Sequence, residues 1–182
     1  MRQLNDLPME ICILPKETQH AVYREVLQLL YLADQEFMPP LSSRNGTTQK
    51  YFSAAKSGDG ILTYFENLKE QRFVVARENG KLLGFVSFRE NYWCGEIPPE
   101  ELPNIYISTL IVAPEARGKG VTGAMYQALL SAYYKENVFT RTWSSNAAHI
   151  RILEKFGFSR WLVLENHRGN GIDTVYFKKA AR

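Results

Sequence analysis

Ile105-Tyr-Ile-Ser-Thr-Leu-Ile-Val-Ala-Pro-Glu-Ala-Arg-Gly-Lys-Gly-Val-Thr-Gly123 is the stretch on which the reading of the chain turns. It reads as a β-strand, a short turn and the opening of a helix. The turn carries Gly118, Gly120 and Gly123 together with Arg117 and Lys119. Backbone N–H groups at a helix start have no partners within the helix, and the aligned peptide dipoles place partial positive charge there. Glycine lets an anion approach that backbone closely. The combination suits a phosphate group.

Working outward, the 182 residues are most simply one domain, long enough to bury a core. The chain is 45% hydrophobic and 23% charged, ordinary for a globular protein. A net charge of +3 is too small to argue for a nucleic-acid or membrane surface. Cys12 and Cys94 lie far apart with no metal-ligand spacing, so no metal is expected and a reducing cytoplasm is the natural setting. The first residues lack the apolar core of a secretion signal, and no apolar run would span a bilayer.

Before the opening stretch, Met9–Leu14 reads as a strand closed by Pro15. Val22, Val26, Leu29, Leu30 and Ala33 fall on one helical face. Pro39-Pro40 to Gly46 breaks that helix. A second helical region is expected from Thr47 or Thr48 to about Glu70, interrupted by Ser57-Gly-Asp-Gly60. Phe73–Arg77 and Lys81–Phe88 form a hairpin about Asn79-Gly80. Residues 91–103 read as a loop. After the glycine turn, Val121, Met125, Leu129 and Tyr133 make a helical stripe. Then come a strand over Val138–Trp143, a helix from Ala147 to Phe156 with a C′ glycine at Gly157, and a terminal pair of strands, Phe158–Leu164 and Ile172–Phe177. The order β-α-α-β-β-β-α-β-α-β-β predicts an α/β domain: a mixed, mostly antiparallel sheet of about seven strands, with helices on both faces.

Gly118-Lys-Gly-Val-Thr-Gly123 matches the dinucleotide pattern G-x-G-x-x-G literally. In that fold, however, the strand runs almost directly into the first glycine, and the next strand ends in a ribose-binding acid. Here Ala-Pro-Glu-Ala-Arg intervenes and the next strand ends Thr142-Trp143-Ser144. The Walker pattern is also absent. A glycine turn that serves packing alone is the remaining bland reading.

Val112-x-Pro114-x-x-Arg117-Gly-Lys-Gly120-Val-Thr122 resembles the acyl-CoA signature of the GNAT superfamily of N-acetyltransferases. Asn146 followed by Leu153-Glu-Lys-Phe-Gly157-Phe158 resembles that family's second segment, and element order is similar over nearly the whole chain. The resemblance implies a single GNAT-like domain over residues 1–182, splayed at its central parallel strands. Residues 1–70 would hold the acceptor-side helices and residues 105–158 the acyl-CoA core. Acetyl-CoA would be the cosubstrate. Leu110, Ile111 and Val112 would pair with the pantetheine arm. The amides of Gly118, Lys119, Gly120, Val121, Thr122 and Gly123 would cradle the pyrophosphate, with charge from Arg117 and Lys119. Asn146 would touch pantetheine or simply cap its helix. The implied reaction moves an acetyl group to a primary amine of a small molecule or peptide. A non-catalytic acyl-CoA-binding or regulatory module of the same fold is the alternative. A homodimer is compatible with the sequence.

Two departures bear on the chemistry. Thr122 stands where the family has a small Gly or Ala, and Leu153 where many members have a tyrosine that protonates the departing thiolate. The opening strand also lacks the carboxylate that often serves as base in this family. Tyr106, grouped with Ser108 on one strand face, is therefore one catalytic candidate and His149 another, with His149 able to stand in for the missing tyrosine. Glu90 is a further candidate base, and Cys94 a conceivable acyl carrier more simply read as a small buried residue. Phe37–Arg44 would form the acceptor side, with Tyr92 and Trp93 closing over it.

Overall fold

The structure is a computed structural model that describes residues 8–50, 52 and 59–182. Its seven strands are β1 (Glu10–Ile13), β2 (Arg72–Glu78), β3 (Lys81–Glu90), β4 (Asn104–Val112), β5 (Asn137–Trp143), β6 (Ser159–Leu164) and β7 (Thr174–Lys179). They form one sheet in the order β1-β2-β3-β4-β5-β7-β6. Only β4 and β5 run parallel; the other neighbours are antiparallel. The four α-helices are α1 (Tyr23–Ala33), α2 (Gly60–Lys69), α3 (Val121–Ala132) and α4 (Ala147–Lys155).

Both sheet faces are covered, which is why β3 is buried continuously from Leu82 to Phe88. Phe73 and Phe85 lie on the face beneath α1, where Tyr23 meets Phe73 edge-on. Phe88 lies on the opposite face and meets Tyr133, the residue that closes α3. The five apolar positions read from the sequence for α1 are all buried. Gln19, also fully buried, donates to the carbonyls of Lys69 and Gln71 at 2.9 Å each and ties the entry of α1 to the exit of α2. Asn79 and Gly80 both have positive φ, 51° and 77°, as a tight two-residue hairpin requires.

The helix expected from Thr47 or Thr48 is corrected by the structure. Residues 44–50 are turns and bends, and the regular helix begins at Gly60. Asp59 caps it, accepting from the amides of Ile61 and Leu62. A helix starting there agrees with the interruption expected at Ser57–Gly60, and residues 53–58 of the expected region lie outside the described residues. Gly60 also fixes the preceding loop. A Cβ added there would sit 1.7 Å from the Ser42 carbonyl oxygen. Gly60→Ala is therefore expected to cost about 1–3 kcal/mol by overpacking, read as a lowered midpoint in urea. An unchanged midpoint would show that the loop yields freely.

Candidate active site

The site arises where two strands part. β4 remains paired with β3 as far as Val112↔Gly84, but its pairing with β5 ends at Ile107↔Thr140. β5 runs on beside β7 to Trp143↔Thr174. Beyond Ile107 and Thr140 the two parallel strands follow different partners and a gap opens between them. A cavity of about 310 Å3 fills it, lined by Ile107–Val112 of β4 and Thr140–Trp143 of β5. Leu110, Ile111 and Val112 all lie on its wall.

A β-bulge shapes the base of the gap. Ser87 pairs with Thr109 and Phe88 with Ile107, which leaves Ser108 as the extra residue. The insertion sets Ser108 and Thr109 together opposite Ser87. The Thr109 hydroxyl meets the Tyr64 hydroxyl at 2.6 Å, while Ser108 bonds to Ser87 at 2.9 Å and to Gln71. Ser108 lines the cavity and Tyr106 does not, so the two do not meet a ligand there together.

The glycine turn stands at the mouth of the gap. Gly118 and Gly120 have φ of 75° and 79°, and a Cβ on either would meet nothing within 4 Å. Packing does not require glycine at these two positions; the backbone conformation does. Gly123 differs, since a Cβ there would touch Phe156 at 3.6 Å. Gly120 is the N-cap of α3, which has no side-chain cap and no acid in its first turn. The orphan amides at this helix start are thus free of side-chain competition, a good fit for a pyrophosphate. Val121 is buried in the core, while Lys119 is exposed and Thr122 reaches the cavity. Arg117 also lines the cavity, where its Nη2 donates to both oxygens of Glu36 at 2.9 Å and its Nε to the Val112 carbonyl at 3.2 Å.

On the α4 side, Asn146 caps the helix. Its side chain accepts from the His149 amide at 3.3 Å and donates to Thr142 Oγ1 at 3.1 Å, and it lines the cavity as well. His149 lies on the wall with its Nε2 2.8 Å from the hydroxyl of the fully buried Tyr126. Desolvation pushes the imidazole down to about 4, so it is neutral at physiological pH. Tyr126 has its proton held on by burial, and His149 Nε2 is its hydrogen-bond partner among the described residues. A buried hydroxyl donates where it can, so the network assigns the His149 proton to Nδ1.

The other candidates lie elsewhere. Tyr106 is buried off the cavity, stacked on Tyr92 at 4.5 Å within a small second core with Ile97, Phe139 and Tyr176. Cys94 packs against the same core, and burial raises its thiol pKa. Glu90 is held by Arg72 at 2.9 Å and by the Tyr133 hydroxyl at 2.6 Å, away from the cavity wall. Leu153 is fully buried in the main core. Phe37 and Arg44 reach the cavity, but Tyr92 does not, and Trp93 is 61% exposed to solvent. The expected closure by Tyr92 and Trp93 is absent.

The sequence reading overlooked Arg141 and Arg168, which join Arg44. Arg44, Arg141 and Arg168 line the cavity wall nearest the 37–52 segment, each with its guanidinium within 5.5 Å of the Phe52 ring centre. Arg141 offered a faint signal, a cation inside the apolar strand Val138–Trp143. Arg168 sits in a turn that gave none.

A gap between diverging strands, with an anion cradle at its mouth, is built for a long extended ligand carrying a phosphate. Residues 35–158 match the model of the Acetyltransferase (GNAT) family, and the chain belongs to that family. It is an acyltransferase, and GNAT enzymes draw the acetyl group from acetyl-CoA. The fold agrees with solved structures. An N-acetyltransferase from Staphylococcus aureus Mu50 superposes with a TM-score of 0.64 at 20% identity, over 97% of this chain and 100% of its own. The yncA structure from Salmonella typhimurium, solved with its cofactor acetyl-CoA, gives 0.64 at 17% identity, over 97% and 95%. A ribosomal-protein-alanine N-acetyltransferase from Brucella melitensis gives 0.63 at 17%, over 94% and 99%. No curated protein sequence matches the chain. Among the described residues no helix is long and apolar enough to cross a membrane.

Proposed function

We propose that the protein transfers an acetyl group from acetyl-CoA to a primary amine by direct attack. The observation that carries this reading is the single cavity joining the edge of β4, the start of α3 and the 37–52 segment. In this reading residues 105–158 hold the donor. Gly118 to Gly123 offer amides to the pyrophosphate, and Leu110–Val112 offer backbone groups to the pantetheine arm. Residues up to 70 shape the acceptor side. Bound acetyl-CoA supplies an activated acetyl group and a thiolate leaving group. The amine nitrogen forms the new bond to the acetyl carbon as the carbon–sulfur bond breaks, and the proton lost by nitrogen balances the charge of the thiolate. Backbone amides at the Ser108 bulge are suited to stabilise the carbonyl oxygen as it gains charge.

His149 offers the departing thiolate a hydrogen bond in place of the proton that Leu153 cannot give. Its Nδ1–H faces no competing acceptor among the described residues and can donate to the departing sulfur. Since the ring titrates at about 4, its contribution should not vary above about pH 5. His149→Ala is expected to lower kcat roughly 100-fold, by the same factor at pH 6 and pH 9. A ratio that breaks near pH 6.5 would mean that the imidazolium, not the neutral ring, does the work.

Release of free thiol from acetyl-CoA across an amine library tests the reaction itself. Amine-dependent release is expected; release that ignores the amine would show hydrolysis instead of transfer.

A further inference from the structure

Arg44 and Arg168 are 8% and 7% exposed, and Arg141 is half-buried beside them. Buried cations are normally paired with carboxylates, because stripping water from a guanidinium is costly. These three are not: no ion pair among the described residues involves them. Their acceptors are neutral. Arg44 donates to the Pro39 carbonyl at 2.8 and 3.0 Å. Arg141 donates to the Tyr176 hydroxyl at 3.1 Å and the Gln49 carbonyl at 2.7 Å. Arg168 donates to Thr174 Oγ1 at 2.9 Å and the Met38 carbonyl at 2.6 Å, and its Nη2 has no hydrogen-bond partner among the described residues. The sequence offers no local remedy, since residues 45–58 contain neither Asp nor Glu. Glu36 is the one acid on the cavity wall, and Arg117 occupies both of its oxygens.

Contacts hold the trio in place. Phe52 lies among the three guanidiniums, and Phe37, Trp143 and Tyr176 each flank one of them. His167 bonds both Thr174 and the Lys50 carbonyl, fastening the 166–172 turn to the segment that carries Phe52. Arg141 and Trp143 project from β5 toward that segment, while Thr142 projects toward Asn146 and α4. The cations therefore share the cavity with the donor strand but occupy its other wall.

We propose that Arg44, Arg141 and Arg168 form an oxyanion subsite, so that the acetyl acceptor is an amine bearing a carboxylate or phosphate group. This builds on the acetyl-transfer reading above. Guanidinium forks match such groups bidentately, and one anion would relieve three mutually repelling charges. Burial, and after it the neighbouring Arg44 and Arg141, lower the Arg168 pKa from its ordinary value.

The test pairs binding with turnover. Binding is followed by thermal shift with inorganic phosphate and with free amino acids, without acetyl-CoA. Both classes should stabilise the wild type at low salt, and Arg168→Gln should lose that shift while keeping its shift with CoA. Arg168→Lys, which keeps the charge, should retain part of it. Turnover is compared between amino acids and their methyl esters, and between O-phosphoethanolamine and ethanolamine. The anionic member should be preferred by roughly tenfold to a hundredfold in kcat/KM, and whichever pair shows the gap identifies carboxylate or phosphate. Equal turnover of both members of each pair would overturn the proposal. So would anion shifts that are absent from the wild type or unchanged in Arg168→Gln. Anion binding lost in Arg168→Gln, with no amine acetylated, would leave the subsite standing and sink the acetyl-transfer reading.

Discussion

Gly120→Leu is expected to remove the stabilisation that CoA confers while leaving the free protein folded. At φ 79° a side chain with a Cβ is strained, at a cost of about 1–2 kcal/mol. No protein atom lies within 4 Å of the added Cβ, and α3 stays anchored by the buried Val121, Met125 and Leu129. The leucine would instead stand over the helix start, in the space an anion needs. CoA at 100 times its dissociation constant should stabilise the wild type by about 2.7 kcal/mol, and the variant by nothing measurable. Thermal unfolding with CoA and with NAD measures both. Gly123→Ala serves as the contrast, because its methyl group meets only the Phe156 side chain at 3.6 Å and should spare most of the CoA effect. A full CoA shift in Gly120→Leu would remove the loop from the site, and stabilisation by NAD but not CoA would remove CoA.

Phe85→Ala should bring the largest loss of stability, about 3–5 kcal/mol. Phe85 is fully buried in the middle of β3, with its ring 5.8 Å from that of Phe73 on the face covered by α1. Sheet and helix are both held by their own hydrogen bonds there, so the space would close only in part. Such a loss is a large share of the 5–15 kcal/mol typical of a domain. Chemical denaturation reads it directly; a loss below about 1 kcal/mol would mean that this face is loosely packed.

Most of the fold could be read from the chain because its signals are local. The stripe on α1, the Asn79-Gly80 turn and the Gly157 C-cap each depend on a few neighbouring residues, and all three are found. The helix start expected at Thr47 or Thr48 fails because a threonine suits a turn as well as a cap, whereas Asp59 does cap α2. The shape of the glycine turn was legible for the same reason as the other turns: the conformation of Gly118 and Gly120 is written in residue type. The catalytic side was not. A single extra residue at Ser108 interrupts the regular alternation of β4, and no local pattern marks a bulge. The arginine trio draws on positions 44, 141 and 168, so it exists only once the chain has folded.

The short seam between β4 and β5 has a mechanical consequence. Residues 104–107 and 137–140 make four paired positions, the strand pairing among the described residues that joins the four-strand half of the sheet to the three-strand half. A ligand lying along the open edge would act as a strut, carrying load from one half to the other. The amides of residues 108–112 should then exchange with solvent faster than those of β3 in the free protein, and slow together once CoA is added. On this view the donor completes the architecture as well as the reaction, and a protein awaiting it is held with its zipper half closed.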